Sequence, residues 1–191
     1  MNMAVKSAAL AAAALALQAC SDGTAEGDSP SAEVSSDTLA TQVSDQGNLS
    51  VVAGVLGDAG LAQVFDGAAA YTLFAPEDAA FDKLGEAGDD LRTPEQRAAM
   101  VAILRDHIVP GYLTPADIEK AIEMDDDGSV TMRTMGAHTL TFTGKGKAIT
   151  VTGEDGATAH FADDALRASN GVAIPLDGVL KKVAPQPATP A

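Results

Sequence analysis

The spacing of apolar residues changes along this chain near Gly128, and that change limits the folds available to it. Before this point apolar residues recur at helical spacing, as in Leu49–Leu56, where positions i, i+3, i+4 and i+7 are apolar. After it, apolar and polar residues alternate in Val130–Met132, Leu140–Phe142 and Ile149–Val151, which is typical of half-buried strands. The sequence therefore predicts an α+β domain, with helices first and an antiparallel sheet second.

Turn and cap residues mark where the elements of the first half begin. Tyr71–Phe74 combines apolar, aromatic and β-branched residues, which predicts a buried strand. Proline is common in the first turn of a helix, so we expect Pro76 to begin the helix that carries Phe81. Thr93–Gln96 predicts another helix start, in which the threonine would be the N-cap and the glutamine would close a capping box. Thr114–Asp117 predicts a further start.

His107 lies on the apolar face of one predicted helix. Met100, Ile103, Leu104 and His107 occupy positions i, i+3, i+4 and i+7, and Val109–Gly111 is expected to break the helix beyond them. A histidine at a helix end usually donates to a carbonyl and complements the helix dipole, so we predict a structural role, with a binding role as the alternative. No two histidines have a ligand spacing such as His-x-x-x-His, so we predict no zinc site.

The N-terminus has the pattern of a bacterial secretion signal that ends at the single cysteine. Residues 1–19 carry a short positive segment and an Ala/Leu run too short to span a bilayer, which predicts a signal peptide. The stretch ending at Cys20 resembles a lipobox, so we expect this thiol to be lipidated and to anchor the protein. Residues 20–36 would then be the lipidated cysteine and a flexible acidic linker, residues 37–184 one domain, and residues 185–191 a proline-rich tail.

Net charge and motifs restrict the function classes. The formal net charge is −15, whereas nucleic acids attract cationic proteins, so we predict no nucleic-acid partner. The sequence has no Gly-x-Ser-x-Gly elbow, phosphate-binding glycine loop or nucleotide fingerprint, so we predict no enzymatic activity and no cofactor. Asp125–Gly128 resembles half of a calcium loop without its alternating ligands, which favours a solvated turn, with weak calcium binding as the alternative. Aromatic residues are only 4% of the chain, so we expect an aliphatic core.

Three stretches taken together resemble the fasciclin-like domain family. Tyr71–Leu84 resembles its Phe-Ala-Pro motif followed by Ala-Phe, Leu104–Gly111 resembles its central histidine motif, and Ser169–Leu180 resembles its closing Asn-Gly-Val motif. Their order and spacing fit the family over nearly all of residues 37–184. The resemblance implies helices packed against a wedge of two mainly antiparallel β-sheets.

The resemblance also assigns roles to individual motif residues. The positions that carry over are Phe74, Pro76, Phe81, His107, Gly111, Asn170, Gly171 and Asp177. Of these, the two phenylalanines and Pro76 would belong to the core, and His107 would hold neighbouring backbone. The sequence departs from the pattern at Asp106, where tyrosine is frequent, and at Ile174, where histidine is frequent. Pro175 is expected to interrupt the closing strand.

Family resemblance and the predicted anchor together imply a function outside the cytoplasm. We predict a secreted, lipid-anchored, non-enzymatic module that attaches to a cell surface or to extracellular matrix through an envelope, matrix or glycan partner. The alternative is a periplasmic lipoprotein that binds a small molecule or a glycan. Ser21 follows the predicted lipidated cysteine, and by similarity to known sorting signals this predicts the outer membrane, with the domain at the cell surface or in the periplasm.

Overall fold

The computed structural model describes residues 34–58, 60, 61, 65 and 69–183, all of them within the unit Ala32–Ala191. The predicted signal peptide, Cys20, nearly all of the predicted linker and the proline-rich tail lie outside the described residues. None of the helices in this described part of the chain is long and apolar enough to cross a membrane.

Helices dominate the first part of the domain, as the helical spacing predicts. The α-helices are α1 (Leu39–Ser44), α2 (Ser50–Asp58), α3 (Asp78–Asp82), α4 (Glu86–Leu91), α5 (Arg97–Asp106) and α6 (Pro115–Met124). Short 3-10 helices, Pro94–Gln96 and Gly146–Ala148, lie before α5 and before the fifth strand. Helix α5 buries Met100, Ile103 and Leu104, because residues at this spacing share one face.

Eight strands in the described residues form two four-stranded sheets. They are β1 (Tyr71–Pro76), β2 (Ile108–Pro110), β3 (Ser129–Arg133), β4 (Thr139–Thr143), β5 (Thr150–Gly153), β6 (Thr158–His160), β7 (Leu166–Ala168) and β8 (Gly171–Leu176). One sheet has the order β2-β1-β8-β7 and the other the order β3-β4-β5-β6. The α+β class and the two mainly antiparallel sheets are confirmed.

The closing strand β8 differs from the expectation in two ways. It pairs in parallel with β1, from Tyr71 opposite Gly171 to Pro76 opposite Leu176, so the first sheet is mixed. It also continues through Pro175, which the sequence predicted to interrupt it. Proline is tolerated at position 175 because β7 pairs with β8 only up to Ala173. The ladder with β7 therefore requires no N–H donor from Pro175.

Two predicted helix starts were wrong, and one strand was missed. Pro76 does not begin a helix: it ends β1, and α3 starts two residues later with Glu77 as its N-cap. Thr93 precedes a 3-10 turn and makes no side-chain cap bond; its hydroxyl donates to the Asp90 carbonyl over 2.7 Å instead. The helix ends before Val109–Gly111 as predicted, at Asp106, but that stretch overlaps a strand that the sequence did not predict, β2, which pairs antiparallel with β1.

Two apolar clusters form the core. The first lies between the helices and one face of the mixed sheet, and it includes Leu39, Val52, Phe81, Leu104 and Ala173. The second lies between the two sheets and α6, and it includes Phe74, Ile118, Phe142, Val151 and Ile174. The expected aliphatic core is only partly right, because all five phenylalanines of the chain are buried despite the low aromatic content.

Candidate functional site

The apolar motif residues lie in the core, where they join the two sheets. The ring of Phe74 on β1 lies 5.0 Å from the ring of Phe142 on β4, centroid to centroid, across the space between the sheets. Phe81 on α3 is fully buried in the first cluster, with the Arg92 guanidinium 5.9 Å from its ring centroid. Pro76 is buried at the end of β1. These positions stabilise the fold and present no reactive group.

His107 caps the C-terminal end of α5 and is fully buried. Its Nδ1 lies 2.8 Å from the Ile103 carbonyl oxygen, and its Nε2 accepts the Leu180 N–H over 2.9 Å. Because Nε2 accepts, Nδ1 carries the proton and donates to Ile103. Burial lowers the pKa of His107 from 6.5 to about 4, against the opposing effects of the Ile103 carbonyl and the Asp106 charge. The imidazole is therefore neutral at pH 7 and ties α5 to the chain segment after β8.

Gly111 holds the loop after β2 against β1 through backbone bonds. Its N–H donates to the Ala70 carbonyl over 2.9 Å. Its own carbonyl accepts the Thr72 hydroxyl over 2.8 Å, and the same hydroxyl oxygen accepts the Leu113 N–H over 2.9 Å. This motif glycine thus belongs to a partly buried polar network that fixes the path of the chain toward α6.

Asn170 and Gly171 join the start of β8 to the helices. The Asn170 amide oxygen accepts the Leu39 N–H at the start of α1 over 2.8 Å, and its amide nitrogen donates to the Phe65 carbonyl. Gly171 packs so closely that a Cβ there would lie 2.5 Å from the Tyr71 carbonyl oxygen, so a side chain would force β8 away from β1. Both residues are required by the geometry of the fold.

Asp177 accepts two hydrogen bonds from His160 at the end of β6. One comes from the His160 N–H over 2.7 Å, and the second partner, Nδ1 of the same residue, is 3.4 Å away. Partial burial alone would raise the pKa of Asp177, but the hydrogen bonds from His160 outweigh it and lower that pKa. This carboxylate links the turn after β8 to the second sheet.

An acidic surface lies next to that turn, at the end of β1. The Asn48 amide donates to a Glu77 carboxylate oxygen over 3.0 Å and to an Asp163 oxygen over 3.3 Å. Burial first, and then the negative charge of Asp163, raise the pKa of Glu77. Among the residues that the structure describes, no group of three or more His, Cys, Asp or Glu side chains has a geometry that could hold a metal ion.

Asp125–Gly128 forms the turn between α6 and β3. The Asp127 N–H donates to a side-chain oxygen of Asp125 over 3.0 Å, and these residues are exposed. The carboxylates therefore face solvent in a local turn.

One pair that sequence reasoning missed joins Asp106 to His138. The two residues are 32 positions apart, yet His138 Nδ1 lies 2.6 Å from an Asp106 carboxylate oxygen. Asp106 is 7% exposed, and it lies so close to Gly136 that a Cβ on this glycine would overlap its carboxylate. Ala137 has φ 71°, a conformation that is uncommon for a residue with a side chain. The departure from the family motif at Asp106 was the only sequence signal for this pair.

Surface cavities are the remaining candidates for binding. The largest described one, of about 340 Å³, lies between α2 and the start of α5, and it is lined by Val51, Val55, Leu91 and Met100. Arg97 and Asp58, which also line it, form an ion pair of 3.0 Å. A second, of about 330 Å³, lies between α4, α5 and residues 181–183. The motif residues line neither cavity, so structural motif and candidate binding surface are separate in this domain.

Comparisons with known proteins agree with this architecture. A family model described as "Fasciclin domain" matches residues 47–182. Among solved structures, the chain is similar to a FAS1 domain pair from the insect cell adhesion molecule Fasciclin I, with a TM-score of 0.53 and 23% sequence identity. The match covers 66% of this chain and 43% of that chain, and it shows a shared fold. No curated protein matches the chain.

Proposed function

The chain belongs to the fasciclin domain family, a family of cell-adhesion-type modules, and on this basis we propose that it is a lipid-anchored binding and adhesion module of the cell envelope. The observation that carries the proposal is the family match over residues 47–182. Fasciclin domains are generally non-enzymatic adhesion modules, and we extend that property to this chain.

The proposed anchor rests on the sequence of the N-terminus. A lipobox-like stretch ends at Cys20, and the acidic segment after it, up to residue 36, contains one aliphatic residue, Val34. Such a segment buries too little apolar area to order itself, so it would let the domain stand away from the membrane. We accordingly place the protein at the outer membrane, with the domain at the cell surface or in the periplasm.

We expect a partner to bind to surface residues of the domain that lie outside the family motif. The motif residues described above make contacts inside the domain, so a partner would bind to other residues. The chain has a formal net charge of −15 and is repelled by anionic surfaces, which favours a neutral glycan or a basic matrix partner. This charge also supports the proposal that the protein has no nucleic-acid partner.

The second candidate function is binding of a small molecule or glycan in the periplasm. The observation that favours it is the pair of cavities of about 340 and 330 Å³, which reach the lower end of the sizes typical of ligand sites. A ligand of this kind would raise the melting temperature of the domain by mass action.

The side of the membrane on which the domain lies separates the two functions. We would measure antibody binding to a C-terminal epitope on intact and on permeabilised cells, with a periplasmic protein as the control for leakage. Adhesion predicts labelling of intact cells and reduced attachment in a strain that lacks the protein. Labelling only after permeabilisation, together with normal attachment of that strain, would reject adhesion and leave the periplasmic function.

A further inference from the structure

A third surface cavity, of about 300 Å³, follows the outer face of α5. Ala98, Val101, Ala102 and Arg105 line it from the helix. They occupy positions i, i+3, i+4 and i+7, so they form one stripe, separate from the stripe that faces the core. The turn that precedes β4 provides the opposite wall, including Met135. The helix wall of the cavity is thus apolar up to Arg105, and its C-terminal end is polar, where Arg105, Asp106 and His138 line it.

Arg105 is the unpaired charge in this cavity. Arg92 and Arg97 form ion pairs with aspartates at 2.6 and 3.0 Å, whereas Arg105 forms none with any carboxylate of the described residues. Its position in the last turn of α5 suits the helix dipole, but the dipole does not account for a cavity beside it. A free guanidinium in a chain with 27 acidic residues is complementary to an anionic group that a ligand would bring.

His138 adds a second polar group at the same end of the cavity. Its Nδ1 is held by Asp106 at 2.6 Å, which leaves Nε2 without a partner among the described residues. The turn that carries it is fixed to the neighbouring elements, because the Gly136 N–H donates to the Arg105 carbonyl over 3.0 Å. The imidazole is therefore positioned before any ligand arrives. On the far side of the Asp106–His138 pair lie Glu154, Asp155 and Lys181, which line a much smaller cavity.

We propose that the α5 cavity binds a small amphiphilic carboxylate. The carboxylate would pair with the Arg105 guanidinium beside the His138 ring, and the apolar part would lie along Val101 and Ala98 toward the start of the helix. Seven residues of helix span about 10 Å, which suits an apolar chain of medium length. This site does not depend on the proposed adhesion, because a ligand could bind here whether or not the domain attaches cells.

The test is a titration of the full-length protein with sodium octanoate, followed by calorimetry and by the NMR signals of the His138 ring. Every sample carries Cys20→Ser, so that no acyl group of the protein itself can compete. Arg105→Ala removes the cation, and Ala98→Leu fills the apolar end with a residue that keeps helix propensity. Arg133→Ala is the matched control, because Arg133 is also exposed and without a described ion pair but lines none of the described cavities.

Saturable octanoate binding that shifts the His138 signals is the expected result. Arg105→Ala should weaken it at least tenfold, Ala98→Leu should abolish it, and Arg133→Ala should leave it unchanged. Three results would overturn the proposal. They are no saturable binding of octanoate, octanoate binding as tight as the parent's in the Arg105→Ala or the Ala98→Leu variant, and binding of 1-octanol, which lacks the charge, as tight as that of octanoate. None of these results bears on attachment of cells, so the two proposals fail separately.

Discussion

His107 acts as a neutral side chain whose proton position is set by the backbone. Ile103 provides an acceptor on one side and Leu180 a donor on the other, so the ring fits only with the proton on Nδ1. A second proton, on Nε2, would face the Leu180 N–H and break that bond. The expected donation to a carbonyl is present, but the ring adds no positive charge at the helix end, because a buried imidazolium would be desolvated and would lose a backbone partner.

Stability should fall as the pH drops from about 6.5 to about 4, and His107 should be one cause. Its pKa is lowered to about 4 in the folded state. Over this range His107 therefore binds a proton in the unfolded chain but stays neutral in the folded chain, which favours unfolding. The loss amounts to about 3 kcal/mol at the acid end. Urea unfolding at pH 7, 6, 5 and 4 measures it, with His107→Gln as the comparison.

The glutamine variant keeps one donor and one acceptor but does not titrate. Its free energy of unfolding should be lower at pH 7 and should fall less steeply toward pH 4, since only the carboxylates and the other histidines then contribute. Parallel pH profiles for parent and variant would show that His107 is not protonated differently in the folded and unfolded states.

Burial of single residues was more predictable from the sequence than polar pairing. The spacing of Met100, Leu104 and His107 placed the histidine correctly on the buried face, because helical geometry relates residues a few positions apart. The Asp106–His138 pair could not be found this way. It joins a helix end to a turn 32 positions away, and residue spacing does not relate positions so far apart.

At the scale of elements, two similar helix-start signals had different outcomes. Thr114 caps α6 with a full capping box: Asp117 N–H donates to its hydroxyl oxygen, and the Thr114 N–H donates back to the Asp117 carboxylate over 2.9 Å. Hydrogen bonds from the Thr114 hydroxyl and backbone lower the pKa of Asp117. Thr93 makes no such cap, since the following residues form a 3-10 turn. The two threonines therefore form a matched pair for measurement.

Thr114→Ala should cost about 1 kcal/mol of stability, because one helix donor loses its partner. Thr93→Ala should cost less than about 0.5 kcal/mol, since it removes a surface hydrogen bond and no cap. Urea unfolding compares the two variants, and NMR titration of Asp117 in Thr114→Ala should show its pKa rising toward the ordinary value. Equal losses of stability in the two variants would mean that the capping box adds nothing beyond a surface contact.

Prolines explain most of the errors at element boundaries. Pro76, Pro110 and Pro175 were each interpreted as a helix start or a break, and each lies in a strand. Proline removes one donor, so its local effect depends on whether a neighbouring strand needs that donor. Sequence spacing does not contain this information, because it depends on which strand lies alongside.

For the whole molecule, the sequence predicted the class and the two sheets but not the pairing that closes the domain. Strands β1 and β8 are adjacent and parallel although Tyr71 and Gly171 lie 100 residues apart. Alternating apolar residues predict that a segment is a strand, and they do not select its neighbours. The family resemblance was the source of the correct two-sheet arrangement.

The proposed anchor and the folded domain should be separable, and Cys20→Ser tests this in the whole protein. The core residues extend from Leu39 to Leu180, so the melting temperature of the domain should change by no more than about 2 °C, in line with a surface substitution. Without a thiol to acylate, the protein should move from the membrane pellet to the soluble fraction after cell disruption. Immunoblotting of both fractions measures this, with Ser21→Ala as the matched control. If the serine variant stays in the pellet as the parent does, a lipid on Cys20 is not what holds the protein at the membrane.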